Sequence, residues 1–432
     1  MVATERPRAA RKRFHGWYVL GVAMLAAFLG AGISQLFMSI MVKPLTAEFG
    51  WSRTATTGAV TLGTILAGLM APVFGHLADR YGPRVLMTLG ALLLVAAYVG
   101  LSQVSELWHL YAIYVPARGL TTPLLMGVVP QTAATNWFRR MRGRALGLLA
   151  MCSALGAAAL AFGGELILEH AGWQRLYWVF AMGTLVLLVI PAALLLRRSP
   201  EDMGLLPDGA PSVPTPAGAT SEKARGPELS WTLGEALRTP ALWLIIASGV
   251  LAAMANTAVG FNLVAYLTDS GMPPTQAVGA LSVYAFAGAI ASGLWGWFTE
   301  RVSERVLAVV TSLLSAGVIV YLLWVRSLAG ALVFAVLFGL TSRGGSTLTN
   351  IIIAQYYGRG AYGTISGFTN PFMMVGLGLG PTIGALCFDL TGSYDAEFGV
   401  FAAASVVTAG LLWLARHPGH PPHAYGRHAD YG

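Results

Sequence analysis

Residues 75–84 read GHLADRYGPR, and residues 296–305 read GWFTERVSER. The second stretch is a worn copy of the first, with Gly296, Glu300 and Arg301 standing where Gly75, Asp79 and Arg80 stand. The copies start 221 residues apart (296 minus 75) in a chain of 432, close to half its length, and each lies where a long apolar run ends. That spacing is what an internal membrane repeat produces. The chain is therefore read as two similar halves.

Around these stretches, 56% of residues are hydrophobic, 11% are charged and the mean hydropathy is +0.65. Soluble domains carry about a quarter charged residues, so this is a membrane protein. A helix that crosses a bilayer needs about 20 mostly apolar residues. Twelve runs meet that need, at 16–40, 54–78, 85–104, 108–135, 143–168 and 174–196, then 240–268, 276–299, 306–325, 330–356, 362–388 and 397–415. The expected fold is all-α, with twelve transmembrane helices in two pseudo-symmetric halves of six. The expected organisation is a basic cytoplasmic N-terminus (1–15), an N-terminal half (16–196), a polar linker rich in Pro, Gly and Ser (197–238), a C-terminal half (239–415) and a cytoplasmic tail (416–432).

A net charge of +8 would suit nucleic acid, but its distribution points elsewhere. With the N-terminus in the cytoplasm, only Lys43, Arg53, Arg175 and Arg326 of the 27 Lys and Arg fall in external loops, and only Arg118 and Arg343 fall inside helices. The rest are cytoplasmic, as positive-inside topology requires. The cluster Arg6, Arg8, Arg11, Lys12, Arg13 is a topology signal that also suits anionic lipid. Cys152 and Cys387 both lie inside runs and imply neither a disulfide framework nor a metal site. His417, His420, His423 and His428 share a Pro- and Gly-rich tail that reads as disordered. No cofactor or metal is expected.

The spacing Gly75-x-x-x-Asp79-Arg80-x-Gly82-x-Arg84 resembles the signature of the major facilitator superfamily between its second and third helices. The basic stretch from Asn136 to Gly147 and the linker start from Arg197 to Gly209 resemble the monocarboxylate transporter branch and its bacterial relatives, the oxalate:formate antiporter group. The resemblance implies a secondary transporter that works by alternating access, and assigns Asp79, Arg80, Arg84, Glu300 and Arg301 to a cytoplasmic gate. It further implies a multi-pass protein of a bacterial inner membrane with both termini cytoplasmic. The expected partners are a small carboxylate, protons and membrane lipid, and the chain is read as a monomer.

The membrane part narrows the chemistry. No carboxylate is placed near the middle of a run; the deepest are Glu165 and Asp389, at external ends. Arg118 shares a helical face with Tyr111, Tyr114 and Thr122, and Arg343 lies about midway along the tenth run. An arginine in the membrane middle costs about 3 kcal/mol or more and should face protein or water. Its planar fork matches a carboxylate with two hydrogen bonds. Two fixed positive charges without a counter-anion are set up to bind an anion. Arg343, Arg118, Tyr114, Tyr284, Asn256 and Asn370 are the expected substrate contacts. The well-studied monocarboxylate transporters place their arginine on helix 8, where this chain has none, so Arg343 is read as its replacement. Gly260, between Asn256, Thr257 and Asn262, marks an expected break in the seventh helix. Proton symport follows from the resemblance; anion exchange and drug export are the competing readings. A membrane enzyme is not expected, since no G-x-S-x-G or H-E-x-x-H motif is present.

Overall fold

The computed structural model of the chain describes residues 14–209, 231–391 and 393–419. The basic cluster at residues 6–13, linker residues 210–230 and the histidines at 420, 423 and 428 lie outside the described residues. Every regular element among the described residues is a helix. Lipid explains this: a helix satisfies its own backbone polar groups, and no other open element does.

Ten described runs are long and apolar enough to cross a membrane. One of them, Arg142–Leu195, holds 54 residues. A single straight helix of that size would be about 80 Å long, far beyond a hydrocarbon core of about 30 Å. The run turns back at Gly172, where φ is +80° and ψ is 167°. Leu160 and Phe180 accordingly both come within 3.4 Å of the position a Cβ would take on Gly32. With that run counted as two passes and the Gly- and Pro-rich helix Tyr362–Thr391 added, the described residues make twelve.

The passes are α1 (Gly16–Gly30 continued by Gln35–Phe49), α2 (Arg53–Tyr81), α3 (Pro83–Leu101), α4 (Leu107–Thr121 continued by Val128–Trp137), α5 (142–171) and α6 (173–195). The second half holds α7 (Pro240–Asp269), α8 (Pro274–Phe298), α9 (Glu304–Leu322), α10 (Leu328–Tyr357), α11 (Tyr362–Thr391) and α12 (Tyr394–Leu414). The linker, the α2–α3, α4–α5, α8–α9 and α10–α11 turns and both described chain ends share one face of the bundle, here the linker face; the other loops share the far face.

Two passes of the first half are broken. In α1, Ala31–Ile33 tightens into a 3-10 turn and Ser34 is extended, at ψ 167°. That releases the Ile33 carbonyl from the helical ladder. In α4 a π turn at Thr122–Met126, with Pro123 inside it, is followed by non-helical Gly127. The break expected at Gly260 is absent, and α7 runs unbroken through it. Glycine keeps its N–H, so alone it weakens a ladder without opening it. The short helix Leu233–Leu237, capped by Thr232, is pinned by the Trp231 N–H donating to Tyr357 O at 3.1 Å.

The halves meet along two glycine seams near the linker face. A Cβ on Gly75 of α2 would overlap the Gly363 carbonyl of α11, and one on Gly367 would lie 2.5 Å from Ala71 O. In the related seam a Cβ on Gly296 of α8 would overlap the Gly143 carbonyl of α5, and one on Gly147 would lie 2.5 Å from Ser292 O. Between helices in lipid, association comes from such close packing, because lipid tails are as apolar as leucine. Gly75 and Gly296, which head the two copies of the repeated stretch, are thus contact residues between the halves.

Candidate functional site

The repeat places the two membrane arginines equivalently. Arg343 lies 225 residues after Arg118, and Gly288 lies 225 after Gly63 (343 minus 118; 288 minus 63). Each arginine lays its stem on the matching glycine: a Cβ on Gly63 would be 3.0 Å from Arg118 Cβ, and one on Gly288 would be 2.7 Å from Arg343 Cγ. Their heads differ. Arg118 Nη1 donates to the released Ile33 carbonyl at 2.8 Å and its Nε donates to Thr64 Oγ1 at 3.0 Å. Tyr114, fully buried, donates its hydroxyl to the same carbonyl at 3.1 Å. In the second half α7 is unbroken, and Ala289 stands where the repeat would put a counterpart of Thr64. The Arg343 guanidinium has no hydrogen-bond or ion-pair partner among the described residues and is exposed.

What it is exposed to is a cavity of about 310 Å³ between α7, α8, α10 and α11. Besides Arg343, its polar lining includes Asn256, Thr257, Tyr284, Ser342, Ser346, Thr349, Asn350, Ser366, Thr369 and Asn370, with Gln131 as the contribution of the first half. No Asp or Glu is among the lining residues. Four expected contacts, Arg343, Tyr284, Asn256 and Asn370, are therefore brought together, whereas Arg118 and Tyr114 are not. Their polar atoms are turned to the break in α1, and a sequence does not reveal which carbonyl a break will release.

The Asn256 amide donates to Ser342 O at 3.1 Å, which ties α7 to α10. The Tyr284 ring stacks on Phe338 with centroids 5.3 Å apart. Both side chains are held by partners on neighbouring helices, and pre-set positions of this kind reduce the ordering cost of binding.

Below the cavity the linker face is closed. Asp79 accepts from Gly363 N at 3.0 Å, Thr364 N at 2.7 Å and Thr364 Oγ1 at 2.7 Å, so a carboxylate of the first half caps the first turn of α11. A helix N-terminus favours negative charge. In the related place Glu300 of the second half pairs with Arg144, in the first turn of α5, at 2.7 Å. The acids of both sequence copies therefore cross between the halves. Their neighbours do not: Arg80 lies over its own Tyr81 ring, Arg84 Nε donates to Ala193 O at 3.0 Å, and Arg301 lies over the Trp297 ring at 3.8 Å.

Further contacts join the halves and the linker on the same face. Arg142, 4% exposed, donates to Ala354 O at 2.6 Å, and Tyr362 donates its hydroxyl to Gln131 Oε1 at 3.2 Å. Arg359 donates to Asn136 O at 3.2 Å and pairs with linker Glu201 at 2.6 Å. Asp208, a non-glycine residue at φ +59°, accepts from the N–H groups of Arg139 and Arg140 at 3.1 and 2.6 Å. Arg142, Asn136, Glu201 and Asp208 lie in the basic stretch and linker start that carry the branch resemblance, whereas Arg359 and Tyr362 lie outside both. Glu397 was missed entirely. It lies in the first turn of α12 and is fully buried, whereas Glu165, expected from the sequence to be among the deepest carboxylates, is exposed. The helix cap at Ser393, with Asp395 and Glu397 in the first turn, was the available signal that α12 starts earlier than residue 397.

Among known proteins, the profile of the Major Facilitator Superfamily matches residues 23–370 and 247–429. The oxalate:formate antiporter of Oxalobacter formigenes is 23% identical over 290 residues, a match spanning 67% of this chain and 64% of that protein. Monocarboxylate transporter 13 of Bos taurus is 26% identical over 413 residues, 93% of this chain and 89% of its own. A crystal structure of FucP in the outward conformation superposes with a TM-score of 0.69 at 13% identity, covering 92% of this chain and 99% of that one.

Proposed function

The chain belongs to the major facilitator superfamily, and from that premise we propose that it carries small organic anions, monocarboxylates such as lactate or pyruvate, by alternating access with proton symport. One observation carries the reading: Arg343 is an unpaired guanidinium in a cavity whose lining contains no carboxylate. Arginine keeps its charge at any working pH, so its neutralising partner must arrive from outside. A carboxylate accepts two parallel hydrogen bonds from the fork, and Tyr284, Asn256 and Asn370 offer further donors around it. The volume is at the low end of the roughly 300–1,000 Å³ of small-molecule sites, which suits a short acid. The relatives that carry monocarboxylates, or oxalate and formate, by name support the same class. A cationic drug would meet the wrong sign of charge.

In this reading the positive-rich linker face is cytoplasmic and the protein lies in a bacterial inner membrane. Asp79 with Thr364 and Glu300 with Arg144 form the cytoplasmic gate, and the conformation seen here has that gate shut. The substrate then reaches Arg343 from outside, the two halves rock about the glycine seams, and the gate contacts part to release it.

The test is uptake of labelled lactate, pyruvate, formate and oxalate into liposomes carrying the purified protein. Loss of one charge-assisted pair costs about 1.5–3 kcal/mol, so Arg343→Ala is expected to lower uptake at limiting substrate by about 10- to 100-fold. Arg343→Lys keeps the charge without the fork and is expected to fall between. Unchanged uptake by Arg343→Ala overturns the proposal. Uptake that requires a counter-anion inside, with no response to a pH gradient, replaces symport by exchange.

A further inference from the structure

Glu397 is 0% exposed, one turn into α12. Its Oε1 accepts from Asn262 Nδ2 of α7 at 2.7 Å. From α11 it meets Gly384, where a Cβ would lie 2.6 Å from Oε1. Its Oε2 is buried and has no hydrogen-bond partner. No Lys, Arg or His pairs with it among the described residues.

The titratable groups around it come from three elements. From its own helix there is Tyr394, whose hydroxyl donates to Asp269 at the end of α7 at 3.1 Å. From α7 there is also Tyr266, whose ring packs on Phe398 and whose hydroxyl donates to Leu322 O and accepts from Arg326, at the end of the α9–α10 loop. Asp395 on the first turn of α12 is exposed. None of these brings a positive charge to the Glu397 carboxyl. An ionised carboxylate held by one amide in such a place is uncompensated, whereas the neutral acid is tolerated. Buried ionisable groups inside membrane helices mark ion and proton sites, and the helices here tie this one to the cavity. Thr257 lines the cavity and would be overlapped by a Cβ on Gly380; five residues along α7 and four along α11, Asn262 and Gly384 enclose Glu397. One α7–α11 seam thus walls both places.

We propose that Glu397 is the proton-binding site of the transport cycle, loaded on Oε2 and occluded in this conformation, with Asn262 as its positioning partner. The inference rests on the organic-anion reading. In this proposal the proton is exchanged along the α7–α11 seam that joins Glu397 to the cavity, taken up from the far side while the cavity opens there and released to the linker side once the halves have rocked. One proton carried with one monovalent carboxylate makes net transport electroneutral, and no other bond changes.

Glu397→Gln keeps the size of the group and leaves an acceptor for Asn262, but cannot release a proton. In proteoliposomes it is expected to retain counterflow of labelled carboxylate against internal carboxylate and to lose accumulation driven by a pH gradient. Glu397→Asp is expected to restore part of that accumulation. Undiminished gradient-driven accumulation by Glu397→Gln overturns the proposal. A second readout needs no substrate: the wild-type protein at neutral pH should show the infrared band of a protonated carboxyl, and Glu397→Gln should lack it. If the wild type moves none of the acids offered, the transport reading falls by itself, and the infrared comparison alone then decides the proton site; a wild-type band that persists in Glu397→Gln, or is absent from both, removes it.

Discussion

Arg118 and Arg343 occupy equivalent places in two copies of one unit, and their surroundings give them opposite roles. Arg118 braces a broken helix because Ile33 and Thr64 satisfy its fork. For Arg343 the corresponding α7 is unbroken and Ala289 stands where the repeat would put a counterpart of Thr64, so its head is left open to the cavity. Both were visible in the sequence as charges in apolar runs, and Arg343 could be singled out because such a charge must face something polar. The fate of Arg118 was not legible, because a local break in α1 decides it. The glycine under each stem is equally specific. Gly288→Val would place a methyl-bearing Cβ only 2.7 Å from Arg343 Cγ, closer than two carbons can pack, so the stem must shift. The displaced fork is expected to lose about 1–2 kcal/mol of substrate binding, a 5- to 30-fold rise in the half-saturating concentration, with folding retained. A transport titration against wild type checks this, and an unchanged value would mean that the stem position does not matter.

At the scale of elements, the acid contacts between the halves at the linker face are built from helix ends. Asp79 caps α11 and Glu300 reaches the start of α5, so each half places an acid on the first turn of a helix in the other. The repeated stretch made this pairing of acids legible, but not their partners: Thr364 and Arg144 lie in turns distant in sequence and are brought there by the glycine seams. The Arg144–Glu300 pair is partly exposed, with side chains 35% and 22% accessible, so its contribution is modest, about 1 kcal/mol or less. Arg144→Glu or Glu300→Arg alone is expected to shift the balance away from the closed cytoplasmic gate by about fivefold, and the double exchange to restore it. Spin labels on the linker-face ends of α5 and α8 would report this as a longer distance component that disappears in the double variant. Failure of the double exchange to recover would assign the effect to packing instead. The same scale explains Glu397: the apolar run of the sequence begins only at residue 397, whereas the cap at Ser393 carries the helix upstream and α7 and α11 bury the acid.

For the whole molecule, the hydrogen bonds joining the halves among the described residues gather at the linker face, below the cavity. A cysteine placed at Ser346, on the cavity wall, is therefore expected to react with a membrane-impermeant maleimide added from the far side, and substrate is expected to slow that reaction. In right-side-out vesicles against inside-out ones, equal labelling from the linker face would contradict the closed gate. Twelve helices, two related halves, a positive-rich linker face and the presence of a membrane arginine on α10 were determined by the sequence alone, because hydropathy, charge and repeat spacing act locally along a chain. Which arginine remains free, which acids cross between halves and that Glu397 is buried were decided only by the tertiary structure. Those outcomes depend on which carbonyl a break releases and which helix ends cover a side chain, and such partners come from elements far apart in sequence.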